Sequence, residues 1–259
     1  MQRGQSLARA PRPPSLSRGM LQGARPILPP GRAAPPAAAA AAATAAKPNE
    51  KLPANELAAL IASLKRSVRN PGAPGSLPAG AVVDAMVALE NQRLPADGWR
   101  AAASAPGARW RLVYTAAEKV ATAAGKRQPH GPATAFPLTA CQKFDEVTGV
   151  FTNGVFVGGG LASLTFSGPY DVAGRVLSFD VTAVGGNLGP WRFGFPLKKG
   201  APATLAGYDA AARKKLPFFA YGFADDGMVV ARGRSGGLAV WVRADEAWLA
   251  ATGVTRIYG

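Results

Sequence analysis

The sequence predicts a mainly β protein: a closed antiparallel β-barrel preceded by two short helices and a disordered N-terminal region. Three observations predict it. From residue 109 onward, apolar residues stop recurring at helical spacing and begin to alternate. About nine such runs follow within some 135 residues, joined by short turns rich in Gly or Asp. Several runs carry large apolar side chains on one face and Arg, Ser, Thr, Asp or Gly on the other, so closing the sheet removes its edges and encloses the apolar face.

Residues 1–49 stand apart. They hold Arg3, Arg9, Arg12, Arg18, Arg25, Arg32 and Lys47, with no Asp or Glu. Ser6, Ser15 and Ser17 lie among them, and an Ala run from Ala33 to Ala46 follows, broken by Pro35, Pro36 and Thr44. An acid-free, Arg-bearing, hydroxylated start fits an organelle transit peptide and lacks the apolar centre of a secretory signal. The Ala run is too weakly apolar for a membrane span, which needs roughly 20 strongly apolar residues. The folded domain is therefore expected over 50–259. The chain carries +15; without the first 49 residues, 23 basic residues face 15 acidic ones. That balance suits anionic lipid headgroups or nucleic acid. Only Lys198-Lys199 and Arg213-Lys214-Lys215 cluster, however, and no zinc knuckle or RNP-like run occurs, so nucleic acid is not expected.

Cys141 and His130 are each the only residue of their kind. No intrachain disulfide is possible, and neither a metal site nor a cofactor is expected. His130 lies in a Pro/Gly-rich loop, which disfavours a Cys–His dyad.

In chain order, residues 53–69 read as a helix with Asn55 as N-cap and an apolar stripe of Leu57, Leu60, Ile61, Leu64 and Val68. A second helix is expected over 78–90, with Val82, Val83, Met86, Val87 and Leu89 apolar. Residues 94–108 read as a connector, with Trp99 covering surface. The first strand places Trp110, Leu112 and Tyr114 on one face and Arg111, Val113 and Thr115 on the other. Residues 116–132 read as a polar loop. Strands are then expected over 136–144, 147–157, 162–171, 175–184 and 188–197. Their turns fall at Asp145-Glu146, Gly158-Gly159-Gly160, Ala173-Gly174 and Gly185-Gly186-Asn187. Residues 198–215 form an insertion with a short helix near 208–215. The last three strands, 218–223, 228–232 and 238–243, form a meander turning at Asp225-Asp226-Gly227 and Ser235-Gly236-Gly237. A meander cannot bury its apolar face alone, so it is expected to pair back to the Trp110 strand and close the barrel.

The enclosed face draws on Leu164 and Phe166; Leu177, Phe179 and Val181; Trp191, Phe193 and Phe195; and Phe219, Tyr221 and Phe223. Such a barrel is wide enough for one small apolar ligand or for a core filled by these aromatics. The expected ligand-contacting residues are Trp110, Leu112, Tyr114, Phe166, Phe179, Phe193, Phe195, Tyr221 and Trp241, with Asp225 and Arg232 as polar candidates. No nucleophile–base pair, GxSxG or HExxH occurs, so no catalytic residue is assigned and no enzyme is expected.

Arg109-Trp110-Arg111-Leu112-Val113-Tyr114-Thr115 resembles the W-R-L-x-Y-T strand that opens the conserved domain of the plastid lipid-associated proteins, the fibrillins. An apolar helical region before that strand and a run of hairpins after it are also similar. Residues 223–233, FADDGMVVARG, resemble the family's Y-L-D-E-D-L-R-I-x-R-G, and Gly236 to Val242 its G-G-φ-φ-V strand. The resemblance covers roughly 55–243. The family's acidic turn is Asp225-Asp226-Gly227 here, its internal Arg is Val229, and Arg232 and Gly233 match. The resemblance implies a lipocalin-like barrel in the chloroplast, peripheral to plastoglobules or thylakoids. Its implied role is to bind or organise carotenoids, quinones, fatty acids or similar lipids without catalysis. The alternative is a barrel enzyme of isomerase or cyclase type on an apolar plastid metabolite. It would need Asp171 or Asp180 as acid or base and Arg232 or Tyr114 to polarise a carbonyl. Asp180 alternates with Ser178 and Thr182 and is expected to face solvent.

Overall fold

The structure is a computed structural model and describes residues 51–95, 98–117, 134–135 and 137–258. The expected transit peptide, His130, Phe136 and nearly all of the polar loop lie outside the described residues. Two helices come first, α1 (Ala54–Arg69) and α2 (Ala79–Gln92), then a six-residue helix, α3 (Trp99–Ser104). The strands are β1 (Trp110–Ala116), β2 (Thr134–Ala135), β3 (Thr139–Asp145), β4 (Val150–Val157), β5 (Ala162–Ala173), β6 (Val176–Phe179), β7 (Ala183–Leu188), β8 (Trp191–Pro196), β9 (Phe218–Ala224), β10 (Met228–Gly233) and β11 (Leu238–Arg243). Helix α4 (Ala210–Lys215) lies between β8 and β9, and α5 (Glu246–Thr252) and α6 (Thr255–Tyr258) end the chain.

Eight strands close a ring in the order β4-β3-β1-β11-β10-β9-β6-β5, with β5 returning to β4. The meander closes it as expected: β11 pairs antiparallel with β1, Trp110 opposite Arg243 and Leu112 opposite Trp241. Strands β7 and β8 are not part of the ring. Strand β5 is long; its second half pairs with β6, which continues the ring through β9, while its first half pairs with β7. Strands β7 and β8 therefore extend the sheet beyond the barrel, and among the described residues β8 ends the path with no strand on its outer side.

Helices α1 and α2 cover the outer face of β1, β9, β10 and β11. Their apolar stripes do this: Leu60, Leu64, Val68, Val82, Val83, Met86 and Leu89 are all buried, packed on Val113, Phe223, Val230, Val240 and Val242. Helix α1 begins at Ala54, so Asn55 sits in its first turn and no side chain caps it. Helix α2 lies very close to β9. A Cβ on Gly222 would fall 2.9 Å from the Glu90 Cα, so only glycine fits there. The C-terminal helices cover β3 and β4, where Tyr258 donates to the Cys141 carbonyl at 2.7 Å and meets Phe156 edge to face.

Two register shifts correct the expected alternation. One falls between Leu112 and Tyr114. Trp110 and Leu112 keep to the barrel interior, but Tyr114 packs in the outer cluster with the helices. The other falls at Gly222, which places Tyr221 inside and Phe223 outside. A bulge inserts one residue and reverses every later side chain. The glycine turn expected at 185–187 is a third correction. Gly185, Gly186 and Asn187 lie within β7, and the turn is at Gly189-Pro190. Asn187 is buried, and its amide donates to the carbonyls of Gly160, Leu161 and Gly189.

Candidate functional site

The barrel interior is filled at one end. Trp99 is buried rather than surface-covering: it stacks on Tyr221 at 4.1 Å and meets Phe144 edge to face at 6.4 Å. Helix α3 thus plugs the ring. A connector reading missed it because six residues are too few to display a helical period. Trp110 donates its indole N–H to the Ala103 carbonyl, fixing plug to wall. The cavity left among Trp99, Trp110, Gln142, Phe144, Tyr221 and Trp241 is about 10 Å³, at the lower limit for a single water. No lipid fits there.

A second aromatic layer sits above the first. Phe179 stacks on Phe219 at 5.4 Å, meets Phe151 edge to face at 4.8 Å, and Phe219 meets Trp241 at 5.2 Å. Phe179 and Phe219 are only half-buried. From this layer the apolar face runs outward. Even-numbered residues of β5 from Ala162 to Val172 share one face. Tyr170 and Val172 belong to the interior cluster, and Phe166, Leu164 and Ala162 continue the same face onto the extension.

Strand registers align that face in rows. The outermost row is Val157, Ala162, Leu188 and Trp191; the next is Val155, Leu164, Gly186 and Phe193; the innermost is Asn153, Phe166, Val184 and Phe195. All three rows are open on β8's side: Phe195 is 54% exposed, Phe193 45% and Trp191 78%, with Leu188 beside Trp191 at 70%. Every residue of β8 is exposed. Gly186 makes the floor of the middle row; a Cβ there would come within 2.8 Å of the Phe193 ring, so the ring lies down against the sheet. Phe193 and Phe195 stack at 6.4 Å. Monomers rarely leave so large an apolar patch uncovered without a use for it.

The expected ligand residues therefore separate. Trp110, Tyr221 and Trp241 are packing in the filled end, and Tyr114 lies outside the barrel under the helices. Leu112 and Phe179 line the upper interior. Phe166, Phe193 and Phe195 come together on the open extension. Val157, Leu164, Leu188 and Trp191 join them and were not among the expected contacts. The Trp-x-Phe-x-Phe alternation of β8 was visible in the sequence, but it reads the same for a covered face and an open one.

Neither polar candidate faces this site. Arg232 makes a bidentate pair with Glu90 of α2, at 2.7 Å from Nε and 2.6 Å from Nη2, and Nη1 donates to the Gly236 carbonyl. Asp225 accepts from the Gly227 and Met228 amides and pairs with Lys65 of α1. Both hold helices to the barrel. Arg232→Ala is expected to cost about 3 kcal/mol in urea unfolding because Glu90 is left largely buried and unpaired. Arg232→Lys is expected to recover less than half of that, since an ammonium cannot reproduce the fork.

Asp180 is buried, contrary to its expected exposure. The strand breaks after Phe179, and the 198–215 insertion closes over the carboxylate. Lys198 pairs with one oxygen, and the Tyr208 hydroxyl donates to the other at 2.6 Å. Burial pushes this carboxyl up, but the ammonium and the hydroxyl outweigh it and hold it below the usual carboxylate value. Burial and Asp180 push the Tyr208 phenol up to about 12. Asp180→Ala is expected to cost about 2 kcal/mol by orphaning the Tyr208 hydroxyl. Lys198→Ala is expected to cost under about 1 kcal/mol, because its side chain is half exposed. A depressed carboxylate contributes stability above its unfolded value near ~4 and loses it as pH falls through the lower folded value. Wild type should thus lose more stability than Asp180→Asn on acidification below about pH 4, read from urea midpoints.

Both Asp180 oxygens are engaged, and Asp171 is exposed with its side chain on the Val172 amide, so neither is set to move a proton at an apolar guest. Cys141 is buried and its thiol is pushed up to about 12 by burial, which keeps it protonated and unreactive. Among the described residues no group of three His, Cys, Asp or Glu could hold a metal ion. A depression of about 420 Å³ beside α1 is bordered by Arg69, Arg111 and Arg243 and does not suit an apolar guest. No protein-family model matches the chain and no curated protein matches it, so the likeness to the fibrillins rests on the strand and turn motifs alone.

Proposed function

We propose that this chain is a non-catalytic lipid-binding protein. It seats a small lipophilic molecule on the open sheet that β4, β5, β7 and β8 build beyond the barrel. The observation that carries this reading is the exposed apolar face itself: Leu164, Phe193 and Phe195 are exposed beside half-buried Phe166, on the face of β5 that continues into the barrel at Tyr170. Elongated guests with a polar end suit such a face, since a chain can lie along the rows while its headgroup stays in water. The filled end of the barrel argues against a guest wholly enclosed by the ring. Residues 1–49 support import into plastids, and the fibrillin-like motifs support carotenoids, quinones or fatty acids as the guest and plastoglobule or thylakoid surfaces as the place of work. Titrating a fluorescent fatty acid into the full chain in vesicle-free buffer tests the reading. Saturable binding is expected; its absence at concentrations below micelle formation would contradict it.

A further inference from the structure

We propose that strand β8 is a membrane-docking edge that lays its aromatic side chains into a lipid surface bearing anionic headgroups. This deepens the reading of a lipid-binding protein by naming the surface it meets and the element that meets it.

The apolar part comes from geometry. Trp191, Phe193, Phe195 and Leu197 are all exposed and lie along one line at the outer margin of the sheet. Strand rise spaces the first and last of them by about 20 Å. Leu188 and Leu161, both exposed, add to the same end as Trp191. A Trp beside a Gly-Pro turn is suited to the headgroup level, since its ring is apolar and its N–H stays wet. The outer face of this extension is held rigid from behind: Arg192 donates to the Arg256 carbonyl of α6 at 3.1 Å, and Asn187 is fixed by three carbonyls. The aromatics are therefore presented by a supported edge.

The electrostatic part selects the partner. From Val181 to Tyr208 the chain contains Arg192, Lys198 and Lys199 and no acidic residue. Through α4 it adds Arg213, Lys214 and Lys215 against Asp209 alone. Lys198 is held by Asp180, but Lys199, three residues beyond the end of the aromatic strand, is exposed. Like charges flanking the patch work against a second copy of the chain docking there, whereas an anionic leaflet complements them. Aromatic insertion and basic attraction together give the two signals that stable peripheral binding requires.

The test uses the full chain with vesicles of phosphatidylcholine, alone or mixed with a minority of phosphatidylglycerol, brominated on their acyl chains. Trp99, Trp110 and Trp241 are buried and Trp248 is half-buried, so Trp191, 78% exposed, is the tryptophan most open to bromine, and Trp191→Phe isolates its share of the quenching. Its emission is expected to be quenched by the mixed vesicles, and the quenching to vanish in Trp191→Phe while flotation persists. The triple variant Trp191→Ser, Phe193→Ser, Phe195→Ser is expected to bind about a hundredfold more weakly. Lys199→Glu is expected to bind about tenfold more weakly, with the loss confined to the anionic vesicles. Equal flotation of wild type and the triple variant would overturn the proposal, as would quenching unchanged by Trp191→Phe. A concentration-dependent dimer abolished by the triple variant, without vesicle binding, would assign the edge to a second copy. Trp191 shielded from iodide in the absence of lipid would assign it to the chain's own residues. Fatty-acid binding in vesicle-free buffer separates the two readings: if it persists while Trp191 is never quenched, the docking edge fails and lipid binding stands.

Discussion

Phe179→Glu is expected to prevent stable folding. The ring lies between Phe151 and Phe219, with centroids 4.8 and 5.4 Å away, and those rings lead on to Trp241. Removing a packed Phe costs about 3–5 kcal/mol by lost contact alone. A carboxylate there has no cation among the aromatic neighbours and adds the cost of an unpaired charge in an apolar layer. A domain of this size has a total stability of only about 5–15 kcal/mol, so the variant should be insoluble or lack a cooperative transition by circular dichroism. Phe179 is only half-buried, yet its ring is packed between two others in the upper layer of the barrel. A soluble Phe179→Glu protein with a native melting curve would mean that the upper layer is not packed as described.

Phe193→Glu is expected to do the reverse: keep the fold and lose the ligand. Phe193 is 45% exposed on an edge strand, and its main contacts are the Gly186 backbone and the Phe195 ring. Surface changes of this kind usually stay within about 0.5 kcal/mol. The ring nevertheless closes the edge end of the middle row, with Leu164 across the glycine floor. Replacing it with a charge should weaken fatty-acid binding by tenfold or more, from about 1.5–3 kcal/mol of lost apolar contact. The two phenylalanines look alike in the sequence, each alternating with small or polar neighbours. Their opposite expected outcomes follow from whether anything covers them. Matched melting curves and fatty-acid titrations of the two variants check the pair.

That contrast also marks what was legible. The barrel was, because alternation, turn chemistry and the meander's need for a partner all favoured antiparallel closure on the Trp110 strand, and β11 pairs there. The helices were, because Leu60, Leu64 and Val68 recur at a spacing that only a helix brings to one side. Tyr114 and Phe223 were misplaced because a bulge at Leu112–Tyr114 and another at Gly222 reverse the alternation, and nothing local announces a one-residue insertion. Gly185-Gly186-Asn187 looked like a turn because turn residues are also the residues that let a ring or a carbonyl approach a strand closely. Asp180 looked exposed because its partners, Lys198 and Tyr208, lie in an insertion whose docking is tertiary. The open face was read as interior for the same reason: β8 has an interior strand's pattern, and only the topology shows that β9, not β8, completes the ring.

The position of a bound lipophile is the most direct measurement. A spin-labelled stearic acid added to isotope-labelled protein in vesicle-free buffer broadens the amide signals within its reach. The expected result is broadening in β7 and β8, with Gly186, Phe193 and Phe195 most affected and β10 and β11 sharp. Broadening centred on Trp99, Trp110 and Tyr221 instead would place the guest inside the ring and contradict the assignment of the open sheet as the lipid-binding surface.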